Sequence, residues 1–340
     1  MSQIKLNRHQ RAGQTSRKRH RGLTLVEVLV AITLMLLITV ATVSLYNVNA
    51  SSKRTVDGSQ QLDDVARFAF HLIGEAARNA GYANVAMLSR GIENGGGLAA
   101  PGGTVSNLFN LCETTGNTIP CPVLGFDNST VTSSDTNFGS RNSNAPNASD
   151  SLAIRFYGSG ADGRTGKPLA DGTMRTCNGT AVAASSPGMP TTVGELGLSI
   201  FYVGTDDTNE PNLYCYSDPG TATRETNAIV RGVETMQVMY AVDLCLPLAD
   251  PACVRDGVPD RWVSAVDVGD ANWRFVKALR VGLVVRGAPG SAQVSSTAAL
   301  FPLGADFSNG NTEAGLSFTP PADGRLRRTY VTTFLLRNSA

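Results

Sequence analysis

The chain has 340 residues, with 29 Lys+Arg against 28 Asp+Glu and a formal net charge of +1. That length allows a sizeable core in one large or two smaller domains, and the near-neutral balance excludes a strongly basic nucleic-acid binder and a highly charged disordered chain. The 35 Gly point to a loop-rich β protein, and the three His (His9, His20 and His71) leave little material for histidine chemistry.

The average hides an asymmetry at the N-terminus. Residues 1–22 carry Lys5, Arg8, Arg11, Arg17, Lys18, Arg19 and Arg21 and no acidic residue. After Leu23-Thr24-Leu25-Val26-Glu27 comes an uncharged run of 25 residues, Val28 to Ser52. About 20 apolar residues cross a bilayer as a helix, so a span from Leu23 to about Val48 is expected. The basic cluster predicts that residues 1–22 stay cytoplasmic while the rest is exported. The run is too long for an ordinary secretory signal and lacks a small-residue cleavage site at its end. The twin-arginine pattern is incomplete. A plain anchor explains the apolarity but not Glu27, because a carboxylate in a membrane segment is costly and by default functional.

Arg21-Gly22-Leu23-Thr24-Leu25-Val26-Glu27-Val28-Leu29-Val30-Ala31 resembles the class III signal of type IV prepilins and type II secretion pseudopilins. In that family a dedicated peptidase cuts after the glycine and methylates the new N-terminal residue. The fifth mature residue there is a glutamate. The resemblance therefore implies cleavage between Gly22 and Leu23, methylation of Leu23, and a role in subunit assembly for Glu27. Leu23 departs mildly from the commonest first residue, phenylalanine. In a packed filament, the α-amine of Leu23 in a neighbouring subunit would neutralise Glu27, since a buried charge is tolerable only when paired.

The helical pattern continues past Lys53-Arg54. Val56, Leu62, Val65, Ala66, Ala69, Phe70, Leu72, Ile73, Ala76 and Ala77 fit one apolar face, with Asp63, Asp64, Arg67, Glu75 and Arg78 opposite. Gly58 and Gly74 weaken the interior by roughly 1 kcal/mol each, and Gly81 is a natural stop. One long helix from Leu23 to about Ala80 is expected, with a membrane half and an amphipathic half. His71 falls on its surface or boundary. A histidine-based triad, zinc site or general acid–base centre is not expected in the processed chain, and neither is an enzyme.

From Tyr82 onward short apolar stretches alternate with glycine-rich spacers. The expected strands are Ser151–Phe156, Leu196–Val203, Asn212–Tyr216, Ala228–Val230, Thr235–Val242, Val276–Arg286 and Arg328–Leu336. Asp127–Asp150, Thr180–Gly194 and Gly287–Gly324 read as low-complexity loops. The fold class is thus α+β and pilin-like, with the long helix packed on an antiparallel β-rich head of one or two sheets. The segments are a cleaved leader at 1–22, the helix at 23–81 and the head at 82–340.

Ile229-Val230-Arg231-Gly232-Val233-Glu234-Thr235-Met236-Gln237-Val238-Met239-Tyr240 is similar to the PilW family of minor pilins. So are Asp256-Gly257-Val258-Pro259-Asp260-Arg261-Trp262-Val263, Ala278–Arg286 and Arg327–Asn338; residues 82–195 carry little likeness. The resemblance implies a minor pilin that primes or caps pilus assembly. Its implied partners are other minor pilins, the major pilin, the prepilin peptidase and the inner membrane, and a tip adhesin is a further candidate. No nucleic acid is expected. A type II secretion minor pseudopilin and a pilus-tip adhesive head are the alternatives.

Cys112, Cys121, Cys177, Cys215, Cys245 and Cys253 all lie in the exported domain. An even number there favours disulfides, and Cys112–Cys121, Cys245–Cys253 and Cys177–Cys215 are the expected pairs among fifteen connectivities. Zinc is the rival, without a histidine or a C-x-x-C spacing. Asp250, Asp256 and Asp260 with Gly257 form an oxygen-rich stretch that reads as a polar turn, with calcium as the alternative. No cofactor is expected. Removing residues 1–22 leaves 22 basic against 28 acidic side chains, a charge of −6, so the exported part is mildly acidic.

Overall fold

A computed structural model describes residues 22, 24–84, 121–131, 141–162, 164–165, 167–186, 196–220, 223–244, 256–292, 294–308 and 313–338. The chain divides into two compact units, Met1–Lys53 and Arg54–Ala340. The boundary falls within helix α1 (Leu25–Asn79), so the amphipathic half of that helix belongs to the same unit as the sheets.

In the second unit, Gly58, Leu62, Ala66, Ala69, Ile73, Gly74, Ala76 and Ala77 of α1 are buried. Their three- and four-residue spacing is the apolar stripe of a helix laid on a core. Val56, expected on this stripe, is exposed, and Gly58 is buried in its place. The two glycines mark close approach. A Cβ on Gly58 would stand 3.1 Å from Ser291 Cβ, and one on Gly74 would stand 2.7 Å from the Phe334 ring. The lost helix propensity is offset by the nearness of the sheet. Asp63 accepts hydrogen bonds from Tyr330 Oη at 2.5 Å and Arg328 Nη1 at 2.9 Å, fixing the helix azimuth. The helix ends at a left-handed Gly81, φ +70°, whose N–H donates to Arg155 O at 2.9 Å.

Among the described residues, eleven strands form two main sheets and one ribbon. Sheet one contains β1 (Val123–Phe126), β4 (Ser151–Phe156), β5 (Gly197–Thr205), β6 (Pro211–Asp218) and β7 (Glu225–Arg231), adjacent in that order. Sheet two has the order β11 (Arg327–Leu335), β10 (Val276–Arg286), β8 (Val233–Val242), β9 (Arg261–Val263). The ribbon pairs β2 (Ser129–Val131) with β3 (Arg141–Ser143). Every pairing is antiparallel.

The expected strands are all present, and two have the expected ends. The expected loop over Asp127–Asp150 is corrected: it holds β2, β3 and a short 3-10 turn, and it ends on a buried Asp150. Three-residue strands rich in Ser, Thr and Asn carry no hydrophobic period to read. Much of the expected loop Gly287–Gly324 likewise packs against sheet two. Leu303 and Leu316 join Met239, Trp262 and Phe307 in a small cluster there, and Pro302 O approaches Gly282 so closely that a Cβ would lie 2.1 Å away.

Chain passes from sheet one to sheet two at a single residue, Gly232, between β7 and β8. Its φ of +81° suits glycine, and a Cβ would stand 2.9 Å from Arg286 O. Beside this corner lies a charge network. Arg327 pairs bidentately with Glu234, Nε to Oε2 at 2.6 Å and Nη2 to Oε1 at 2.9 Å, both side chains 4% exposed. Arg327 also binds Asp323, Arg286 binds Glu234 and Glu210, and Arg325 binds Glu210. The hydrogen bonds of Arg327 hold the Asp323 carboxyl down at about 2.

A carboxyl with a depressed folded pKa stabilises above its unfolded value of about 3.9 and loses that contribution as pH falls through the folded value. The melting midpoint should therefore decline between about pH 4 and pH 2 as this network is protonated. Replacing Arg327 with Ala should cost about 3–5 kcal/mol at neutral pH, because Glu234 is left buried without its bidentate partner. Denaturant titration of the variant checks this; a loss below about 1 kcal/mol contradicts a buried network.

Candidate functional site

The first unit is built around the start of α1. Gly22 is exposed, and the space its Cβ would occupy has nothing within 4 Å. Leu23 lies outside the described residues. Thr24 precedes the helix and Glu27 is its third residue, the T-x-x-E arrangement of a capping box. Both halves of the box are formed. Glu27 N donates to Thr24 Oγ1 at 3.3 Å, while Thr24 N and Thr24 Oγ1 donate to Glu27 Oε2 at 3.0 and 3.1 Å. The carboxylate therefore sits where the exposed amides and dipole of a helix N-terminus favour negative charge.

Beyond Glu27 the helix surface is apolar on all sides. Leu29, Ile32, Met35, Leu36, Val40 and Val43 are all exposed within this unit. The helix is long and apolar enough to cross a membrane by length and composition. Its hydroxyls are satisfied internally. Thr33 donates to Val30 O, Thr39 to Met35 O, Thr42 to Ile38 O and Ser44 to Val40 O, at 2.7–2.9 Å. In hydrocarbon no water is available to such groups, so a polar side chain must find a carbonyl on its own helix. Glu27 differs from these hydroxyls because its formal charge calls for a cation as well as hydrogen-bond donors.

Other expected sites fall as follows. Cys177 and Cys215 are joined, with Cα atoms 6.1 Å apart. The bond ties the stretch before β5 to the face of β6, beside hydrogen bonds from Cys177 N to Ser199 Oγ and from Asn178 Nδ2 to Ser217 Oγ. Closing a loop of this length stabilises by about 4 kcal/mol in the chain-entropy picture. Cys121 is also disulfide-bonded; Cys112, Cys245 and Cys253 lie outside the described residues. Asp250 lies outside them too. Asp256 Oδ1 accepts Val258 N and Asp243 Oδ2 accepts Gly257 N, the pattern of a polar turn. Among the described residues no group of three or more His, Cys, Asp or Glu is arranged to hold a metal. His71 is exposed on α1, 4.0 Å from Glu75.

Two contributors were missed at the level of sequence. The capping role of Thr24 was signalled by T-x-x-E itself. The buried Asp150 carried no local signal.

Residues 17–43 match the model of the prokaryotic N-terminal methylation motif, and residues 200–338 match that of type IV pilus-assembly protein W. The second match runs from within β5 through β11 and so takes in all of sheet two. Among solved structures, a type IV-like pilin from Thermus thermophilus is similar at 16% identity, over 58% of this chain and 81% of that one, with a TM-score of 0.32. No curated protein matches the chain. A methylation motif leading into an apolar helix, followed by a helix-backed antiparallel head, is a pilin-like arrangement. The match over residues 200–338 likens the head to the PilW family of pilus-assembly proteins.

The capping box yields a prediction. Replacing Thr24 with Ala removes the hydroxyl acceptor of Glu27 N and one donor to Oε2, so the amide of Glu27 should exchange roughly fivefold faster in detergent micelles. Unchanged exchange in that first turn would show that the box does not hold the helix start.

Proposed function

We propose that the chain is a minor pilin that primes or caps a type IV pilus through packing of its N-terminal helix against other pilins. It is a substrate of the prepilin peptidase rather than an enzyme. The peptidase cuts between Gly22 and Leu23 and methylates Leu23. Before processing, the precursor sits in the inner membrane with residues 1–22 in the cytoplasm and the Arg54–Ala340 unit in the periplasm.

The observation that carries this reading is the environment of Glu27. Its carboxylate stands at the start of a helix whose surface is otherwise apolar, held by Thr24 through Oε2. Packed against other helices in a low-dielectric medium, such a charge requires a cation. The family supplies one only after cleavage, when the α-amine of Leu23 in an adjoining subunit becomes free. Removal of the leader therefore both creates the neutralising group and takes away seven basic side chains. Exposed Gly22, with open space around it, supports access of the peptidase to the bond.

Replacing Gly22 with Val tests the reading. The expected outcome is a full-length precursor in the inner membrane, no surface pili and lost twitching motility, with protein secretion intact. Normal processing and piliation would overturn it. Loss of secretion with pili retained would assign the chain to a secretion pseudopilus instead.

A further inference from the structure

The turn before β4 joins the two main sheets, and it does so through an acidic residue. Asn147 Nδ2 donates to Glu234 O at 2.8 Å, Gln237 Nε2 to Ala148 O at 2.8 Å, and Met236 N to Ser149 Oγ at 3.3 Å. Asp150 N donates to Met236 O at 2.8 Å, and Val238 N donates back to Asp150 Oδ2 at 2.8 Å. Asp150 Oδ1 accepts Asn128 N at 3.1 Å from the turn between β1 and β2. Four consecutive residues thus occupy the edge of β8 that β9 leaves open, and Asp150 leads directly into β4 of the other sheet.

Two features make this junction unusual. Its backbone is left-handed at Asn147, φ 54°, and at Ala148, φ 53°, a region that costs an alanine energy unless its surroundings hold it there. The Ala148 carbonyl is held by Gln237, and a Cβ on Gly315 would stand 2.5 Å from that oxygen, so the turn is clamped from above as well.

The second feature is charge. Asp150 is 2% exposed, and the hydrogen bonds reaching its carboxyl from β8 and from the β1–β2 turn come from neutral backbone amides. Among the described residues, the charged groups acting on it are Asp127 on the β1–β2 turn and Glu313 on the segment over sheet two, both acidic. Tyr240 faces it from β8, fully buried, and its hydroxyl has no hydrogen-bond partner among the described residues; neither does Asn128 Oδ1. A neutral carboxylic acid still accepts amide hydrogen bonds and adds one O–H donor, which suits a neighbourhood of unpartnered oxygens better than a third negative charge.

We propose that the Asn147–Asp150 turn is a proton-operated clasp between the two sheets: Asp150 closes it as the neutral acid and loosens it on ionisation. Burial first, and then the Asp127 charge, push its carboxyl well above the ordinary range. With the folded pKa raised, the stabilisation is complete below the unfolded value of about 3.9 and is lost as pH rises through the folded value. On opening, the proton passes to solvent base, the amide of Val238 loses its acceptor, and the left-handed turn is free to relax.

The test uses the full chain in detergent micelles, with unfolding followed by near-ultraviolet circular dichroism at a series of pH values above about 4.5. The midpoint should fall by roughly 2–3 °C per pH unit while Asp150 titrates. In Asp150→Asn that fall should disappear. In Glu313→Gln, which removes a like charge, the fall should end at a lower pH than in the wild type. Should Asp150→Asn fail to fold, the Glu313→Gln profile and the carboxyl-carbon NMR titration of Asp150 decide. A flat or rising wild-type profile, a Glu313→Gln profile superimposed on it, or an Asp150 carboxyl titrating at or below about 3.9 overturns the proposal.

Discussion

A single carboxylate at the head of an apolar helix constrains the rest of the molecule. Glu27 is followed by 25 residues without a formal charge, so nothing within that stretch can neutralise it. The capping box supplies hydrogen bonds but no charge. A helix start satisfies a carboxylate this way at little cost in water, yet in a low-dielectric setting the unpaired charge remains expensive. The account of assembly follows from that imbalance. In the proposed assembly, the neutralising partner is the α-amine of a neighbouring subunit, freed by cleavage.

The two halves of α1 answer to different surroundings in their sequence alone. The first half presents large aliphatic side chains all round, with Thr and Ser hydroxyls folded back on its own carbonyls. The second half narrows to a stripe of Gly, Ala, Leu and Ile that lets sheet two approach closely. Gly58 and Gly74 there trade helix propensity for contact, and Asp63 with Tyr330 and Arg328 fixes the rotation that side chains of this size leave loose. Above the helix, the two sheets meet at two polar junctions of opposite electrostatic character. The Gly232 corner is neutralised by arginine–carboxylate pairs and weakens in acid. The charges acting on the Asp150 turn among the described residues are acidic, and in the proposed clasp it weakens as pH rises. Together they confine the most cohesive form of the head to mildly acidic conditions.

Legibility in the sequence followed the range of the interactions. The long helix was readable because it rests on local spacing. The strands β4 and β10 were readable end to end, as their runs of Leu, Ile, Val and Phe are long. β1, β2, β3 and β9 escaped because three or four residues carry no period. The pairing of Glu234 with Arg327 spans 93 residues, and Asn128 reaches Asp150 across 22, so neither partner announces the other. Asp150 stood at the end of a stretch resembling a polar spacer; its burial is a product of two sheets closing around it. Thr24 is a different kind of miss. Its signal was local and complete, but the membrane role of the segment drew attention to the glutamate alone.

The central claim is that the working protein begins at Leu23, with a free amine available to a neighbouring Glu27. Intact-mass and N-terminal peptide mass spectrometry of the protein recovered from sheared pili tests it most directly. The account predicts a chain lacking residues 1–22, with Leu23 at its N-terminus carrying one methyl group. A pilus-associated chain that still begins at Met1, or one cut at another bond, would contradict it.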